Sequence, residues 1–470
     1  MRGQFAGVVT LALGVSLALA GCSGDDEPVP PAPTSPSTSA APTPVELTFG
    51  VFGSPPEVAP YQDMVDAYNA EATTVQVELQ SWPSSDAMLA DVEAGTPLPE
   101  VFLIARTNLP RVLEPDLTTP LFDLLEERDI SYGDGYAQEG LEAFSANNDL
   151  QCMPYDISPR VVYYNTDLVD FTKMKARGLP VPSEELDGWD FDEFQAAVRF
   201  ASRKRLGTKG LNVSPTLDGI APFLYSGGGT LFDDDSDPTA LDLASDENVE
   251  TLTTLLELAR DPRVTLSEAQ LARATPMQWF KRGKLAMVTD YRSLTPELRE
   301  LPKFHFDVLP IPRLDSRATL GRLSGLCIAR GPMVQKAADF LVHAISDDGV
   351  SIVAEAGYLV PANLSVGRSE AFLQPDQQPS HAGAFNASVD RVQVLPLLDS
   401  YDLLEAAAAP GLQQLLHSTV LDDLTALTAA IDELSRPILD PTYVPESPSD
   451  SPSDAPSGSP SDSPSASSSP

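Results

Sequence analysis

The chain is short of positive charge, and that shortage narrows its partners before any motif is read. Against 68 Asp and Glu it sets only 30 Lys and Arg, a formal net charge of −38 at pH 7. A surface of that sign repels phosphate backbones and anionic headgroups, which argues against nucleic acid as a partner. Histidine is scarce too: His305, His343, His381 and His417 lie far apart, and no His-Glu-x-x-His pair occurs. No Gly-x-Ser-x-Gly elbow is present. Ser226, Gly227, Gly228 and Gly229 lack the lysine and the spacing of a phosphate loop and read as a turn. Asp233, Asp234, Asp235 and Asp237 lack the distal glutamate of a calcium loop and read as a solvated acidic loop. No metal site and no cofactor are therefore expected. Acidic residues are too abundant for any two to be singled out as a glycosidase pair, and no nucleophile stands beside an evident base.

Long apolar runs are missing as well, with one exception at the start. Arg2, the run 6–20 and Leu-Ala-Leu-Ala-Gly-Cys ending at Cys22 read as an export signal over 1–22, its apolar stretch too short for a usual spanning helix. The last six of these residues resemble a bacterial lipobox. Cys22 is accordingly expected to be acylated, to become residue one after cleavage, and to anchor the protein by lipid on the outer face of the cell membrane. Residues 23–44 are mostly Pro, Ser, Thr and Ala, and 446–470 repeat Ser-Pro-Ser-Asp; neither can bury enough apolar surface to order itself. They are expected to be a flexible stalk and a disordered tail. With these flanks set aside, the core still carries −32. Beyond Cys22 only Cys152 and Cys327 remain. An even pair in an exported protein can bridge, but both sit in apolar strand-like surroundings where buried free thiols are also common, so the residues leave both outcomes open.

What is present is an alternation of strand and helix. Residues 45–52 alternate as a strand, and 60–72 carry a helical apolar face at Met64, Val65 and Tyr68. Residues 74–79 give a second strand, Ser84 or Ser85 can cap a helix that stops at Gly95, and 100–104 form a continuous apolar strand. This order predicts an open, doubly wound α/β lobe, in which ligands sit beyond the carboxyl ends of the strands. The rule picks out Phe52 and Ser54 after the first strand, Trp82 after the second, and Arg106, Thr107 and Asn108 after the third. Residues 151–165 read as a strand carrying the chain into another lobe; Pro154 and Pro159 lack backbone donors and exclude a central place in a ladder. Residues 320–329 are a second crossing candidate. Further helices are expected at 190–204, 217–225, 249–259, 268–281, 335–346, 347–357, 400–408 and 411–435, with strands at 211–213, 285–288 and 304–309. The organisation predicted is a first lobe over 45–157, a second over 158–323, a return to the first over 324–356, and C-terminal helices mainly on the second over 357–445.

Several segments follow one another in a telling order: L-T-F-G-V-F-G, P-L-P-E-V-F-L-I-A, M-P-Y-D-I-S-P-R-V-V-Y-Y-N-T-D-L, G-W-D-F-D-E-F, F-K-R-G-K-L-A-M-V-T-D-Y, A-A-D-F-L-V-H-A-I-S and A-G-Y-L-V-P-A. Together they resemble the extracellular solute-binding proteins of family 1, the lipoprotein or periplasmic receptors of bacterial ABC importers. Gly50 stands where an aromatic is frequent in that family, and Ile104 where sugar binders often carry Trp. The resemblance implies a periplasmic-binding-protein-like fold of two α/β lobes joined by crossing strands, which close on a solute by hinge motion. It implies a monomeric receptor rather than an enzyme, with ABC permease subunits as partners and a sugar or oligosaccharide as cargo. It also implies that Tyr291 stacks on the ligand, that Ser158 and Ser324 offer hydroxyls from the crossing strands, and that Cys152 and Cys327, on those strands, lie close together. The competing readings are an exported hydrolase acting on glycans with an unrecognised acid pair, and a sensor or adhesion lipoprotein reusing the receptor fold.

Overall fold

The computed structural model describes residues 44–418 and 420–444 of the chain. The expectations for Cys22, the export signal, the stalk up to residue 43 and the tail lie outside the described residues.

Strand β1 (Val45–Phe52), helix α1 (Pro55–Glu71), strand β2 (Val75–Trp82), helix α2 (Ser85–Glu93) and strand β3 (Val101–Ala105) succeed one another in the predicted order. β1 pairs in parallel with β2 on one side and with β3 on the other, a pairing that needs the two helices as crossovers. Two boundaries move. α1 begins at Pro55 rather than at 60, because the Glu57 carboxylate takes the Ser54 N–H at 2.8 Å and its hydroxyl at 2.7 Å while Pro55 occupies the first turn. β2 runs on to Trp82, so Ser81 and Trp82 pair with Val51 and Phe52 in the ladder instead of forming a loop.

The chain leaves this sheet along a first crossing strand, Cys152–Pro159, and returns along a second, Thr319–Ala329. They run antiparallel, with Arg322 opposite Ser158, Ser324 opposite Asp156 and Cys327 opposite Cys152. The second also pairs with β3. On its other edge the first takes only an isolated bridge, Asp156 with Pro361, among the described residues, and Pro154 and Pro159 have no N–H to offer a longer ladder. Cys152 and Cys327 are joined by a disulfide, fully buried, with their Cα atoms 4.3 Å apart.

Between the crossings, Val161–Asn165 is the central strand of an antiparallel sheet, flanked by Phe306–Pro310 and Met287–Asp290. All five of its residues are buried. They divide by parity: Val161 and Tyr163 join the core shared with the first sheet, whereas Val162 and Tyr164 join a second core with Phe194, Phe223 and Leu252. The unbroken apolar run follows from that, since a strand of period two between two cores has no polar side.

Residues 359–392 place Leu359, Val360, Phe372 and Phe385 in the first core, while Tyr401–His417 and Leu424–Leu439 deliver Leu404, Leu412, Leu415 and Ile431 to the second. The first of these last two helices ends at His417 and the second begins at Leu424, so the chain does not break near 409–410. Pro410 and Gly411 lie inside one continuous helix, and a Cβ at Gly411 would stand 2.4 Å from Ile431 Cγ1. Glycine there permits close helix packing rather than ending a helix. The helix expected over 268–281 is split into Glu268–Leu271 and Pro276–Lys281, because Pro276 opens a new first turn capped by Thr275 Oγ1. Residues 211–213 form no strand. Among the described residues no helix is long and apolar enough to cross a membrane.

The disulfide spans a sequence separation of 175 residues. On the chain-entropy argument, closing so long a loop disfavours the unfolded chain by about 5 kcal/mol. Replacing both Cys152 and Cys327 by Ala should lower the denaturant midpoint by an amount equivalent to about 2–5 kcal/mol. An unchanged midpoint would show that the bridge leaves the unfolded chain unconstrained.

Candidate functional site

A cavity of about 990 Å³ opens between the two sheets, with the crossing strands as its floor. Phe52, Arg106, Thr107, Asn108, Ser158, Tyr291 and Ser324 line it; Ser54 and Trp82 do not. Ser54 gives its hydroxyl to Glu57, as described. Trp82 sits in the ladder, donates from Nε1 to Asp91 Oδ2 at 2.9 Å, and leans on Gly50. A Cβ at Gly50 would stand 2.7 Å from Pro99 and 3.3 Å from the Trp82 ring, so the aromatic that the resemblance expects at position 50 has no room. Trp189 and Trp279 lie elsewhere and donate to the carbonyls of Pro310 at 2.8 Å and Gln270 at 3.1 Å. The aromatic surface of the cleft comes instead from Phe52, Tyr61, Tyr291, Tyr358 and Tyr401.

On the floor, Asp156 and Ser158 alternate along one crossing strand and face Ser324 and Arg322 on the other. Ser158 Oγ donates to Asp156 Oδ1 at 2.7 Å, and the Val360 N–H donates to the same oxygen at 2.8 Å. Sequence reasoning found the two serines and missed Asp156 and Arg322. Counting two residues along each strand from Ser158 and Ser324 would have named them.

Arg106 leaves the end of β3 and spans the cleft. Its Nε donates to Ala143 O at 3.2 Å and its Nη1 to Leu395 O at 2.7 Å, while burial pulls its pKa down to about 10. It thereby ties the first sheet to the segment that leads into the C-terminal helices. Asn108 donates to Asp86 Oδ1 at 2.7 Å, an oxygen that also receives Arg111 at 3.1 Å. Across the cleft, Tyr291 is only 3% exposed, with Arg322 Cζ 4.2 Å and Arg160 Cζ 4.8 Å from its ring centroid. Tyr401 donates its hydroxyl to Asp218 Oδ1 at 3.0 Å, and Arg160 donates to the Asp218 carbonyl. Arg160, Asp218 and Tyr401 carry no local sequence signal; three separate segments bring them together.

Residues 63–378 match the family of bacterial extracellular solute-binding proteins. The chain belongs to this family. No curated protein sequence matches it. Among solved structures it is similar to an ABC substrate-binding protein from Listeria monocytogenes in complex with cycloalternan. That likeness has a TM-score of 0.68 at 20% identity and covers 84% of this chain and 99% of the other. It is similar also to the GacH receptor of Streptomyces glaucescens, solved unliganded and with acarbose (TM-score 0.65, 16% identity, 84% and 99% covered). A third likeness is to UgpB from Mycobacterium tuberculosis with glycerophosphocholine (TM-score 0.65, 17% identity, 85% and 99% covered). The fold is therefore the two-lobed, periplasmic-binding-protein-like α/β architecture, with crossing strands and a cleft between the lobes.

In this solute-binding protein the cleft floor has its own pH response. Burial pushes the Asp156 carboxyl from its ordinary 3.8 up to about 7, against the pull of Ser158, Val360 and Arg322. The folded protein holds this proton where the unfolded chain has lost it, so Asp156 costs stability as pH rises from about 4 to about 7. Asp156→Asn never ionises. Melting temperatures of ligand-free wild type and variant should coincide near pH 4, with the variant the higher by pH 7.5. A wild type that gains on the variant as pH rises would reverse the assignment.

Among the described residues no group of three or more His, Cys, Asp or Glu is placed to hold a metal ion. Guanidinium, carboxylate and hydroxyl groups beside aromatic faces equip the cleft for recognition.

Proposed function

We propose that this protein is a lipid-anchored receptor that takes an organic solute, a carbohydrate, into the interlobe cleft and delivers it to an ABC importer permease. One observation carries the reading. Polar groups from both sheets and from both crossing strands converge on one cavity whose 990 Å³ suits an oligosaccharide-sized ligand. A solute held by Arg106 and Ser158 on one side and Tyr291 on the other gains its full contacts only when the lobes meet, so binding and closure form one equilibrium. Hydroxyl groups need a fan of donors and acceptors, which the floor offers, and the apolar face of a sugar ring needs an aromatic surface, which Tyr61, Tyr358 and Phe52 offer. The complexes of the similar Listeria and Streptomyces proteins with cycloalternan and acarbose favour carbohydrate. Anchoring rests on the lipobox at Cys22, and delivery to a permease rests on family membership. The protein acts by binding and release, as a single copy, with no step of bond cleavage.

A thermal-shift screen over sugars, oligosaccharides, amino acids and polyols tests the reading, since a ligand at a hundred times its dissociation constant adds about 2.7 kcal/mol. Solution scattering should show the wild type compacting with its ligand. Tyr291→Ala removes a surface worth about 1–3 kcal/mol and should weaken binding roughly 5- to 150-fold; because the ring is buried it should also lower the melting temperature, so affinity is compared where both proteins are folded. Unchanged affinity would remove Tyr291 from the site. Turnover of a glycan by the purified protein would replace the receptor with a hydrolase. For the anchor, Cys22→Ala should release the protein into the medium or leave an unprocessed precursor; mature mutant protein retained on the membrane would refute lipidation.

A further inference from the structure

Two guanidinium groups converge on one ring. With Arg322 Cζ at 4.2 Å and Arg160 Cζ at 4.8 Å from the Tyr291 centroid, they stand no more than about 9 Å apart. Neither forms an ion pair with a carboxylate among the described residues. Arg322 is exposed in the cleft, and Arg160 keeps its Nε buried without a hydrogen-bond partner. Like charges at this spacing repel, and the π-face of Tyr291 compensates them only in part.

Three carboxyls share the neighbourhood, and each has an oxygen committed elsewhere. Asp156 Oδ1 takes Ser158 and Val360, Asp218 Oδ1 takes Tyr401, and Asp290 Oδ1 takes the Tyr291 N–H at 2.8 Å. Burial raises the pKa of both Asp156 and Asp290, which thins the negative charge they can set against the arginines. Arg322 is thus left in the cleft without a bonded carboxylate among the described residues, in a protein whose net charge is −38. That overall charge repels anions at long range but is screened beyond about 8 Å at physiological salt, whereas a group inside the cleft meets the Arg322 fork directly.

We propose that the cargo carries an anionic group, a carboxylate or a phosphate ester, which docks against Arg322 beside Tyr291, with the charge of the nearby Arg160 adding to the attraction, so that the receptor selects acidic over neutral carbohydrates. The proposal rests on the receptor reading above and names the chemical class of its solute. Planar guanidinium forks match carboxylate and phosphate oxygens two by two, and hydrogen bonds charged at both ends are the strong ones. The same forks meet a neutral hydroxyl with one bond and no charge.

Calorimetric titration of the full-length protein with matched panels tests this: neutral oligosaccharides, their uronate counterparts, and sugars bearing a phosphate ester. The wild type should bind one acidic class about 10- to 100-fold more tightly than its neutral match, a preference that shrinks as salt rises. The uronate and phosphate arms tell which acid it is. Arg322→Gln should bring the acidic member down to the affinity of the neutral one and Arg160→Gln should shrink the preference in part, each variant checked for an unchanged melting profile. Neutral members binding as well as acidic ones, or a preference that survives both substitutions, would overturn the proposal and leave the receptor standing. Binding of no carbohydrate of any kind would overturn both.

Discussion

The ladder between Cys152–Pro159 and Thr319–Ala329 is the constraint on which the rest of the molecule depends. Through it the chain leaves the parallel sheet, builds a second sheet and core, and comes back to pair with β3. A buried disulfide fixes the ladder at its first-lobe end. At the other end the two strands run out into the cleft, where side chains of period two become its floor. One short stretch of pairing therefore connects the lobes and holds Asp156, Ser158, Arg322 and Ser324 against one another.

The same economy appears in Val161–Asn165. A strand between two cores needs apolar side chains on both faces, and V-V-Y-Y meets that need without polar interruption. Tyr163 uses its position fully: its hydroxyl donates to the Tyr291 carbonyl at 2.9 Å and lies 2.8 Å from Thr295 Oγ1, so the buried strand sets the backbone that presents Tyr291 to the cleft. Arg106 does the corresponding work from the first sheet, holding the carbonyls of Ala143 and Leu395 with Nε and Nη1. Groups that sequence position marks as ligand contacts are already engaged with the protein. A solute meets an organised wall with few side chains left to order, which lowers the entropic cost of binding.

The cleft differs from an aromatic box. No tryptophan among the described residues lines it, Tyr61 and Tyr291 are buried and Tyr401 is hydrogen-bonded, and Arg322 stands in it over the Tyr291 ring near the Asp156 carboxyl. Desolvation raises the carboxyl pKa values, which reduces their negative charge near neutral pH, whereas Arg106, lowered to about 10, stays protonated there.

By itself the sequence determined the β-α-β-α-β lobe, the two crossings and the alternation of helices and strands beyond them, because hydrophobic period and the punctuation of proline and glycine are local properties. It also placed Phe52, Arg106, Thr107, Asn108, Ser158, Tyr291 and Ser324 at strand ends or crossings, and these line the cavity. Only tertiary structure decided the rest. Ser54 went to a helix cap and Trp82 into a ladder because a partner three residues away and a neighbouring strand, respectively, claimed them. Gly411 became a contact between helices instead of a stop, since what stands 2.4 Å from its missing Cβ is Ile431, twenty residues on. Arg160, Asp218, Arg322 and Tyr401 meet from segments up to 241 residues apart. Their proximity is a property of strand register and packing, which no local pattern records.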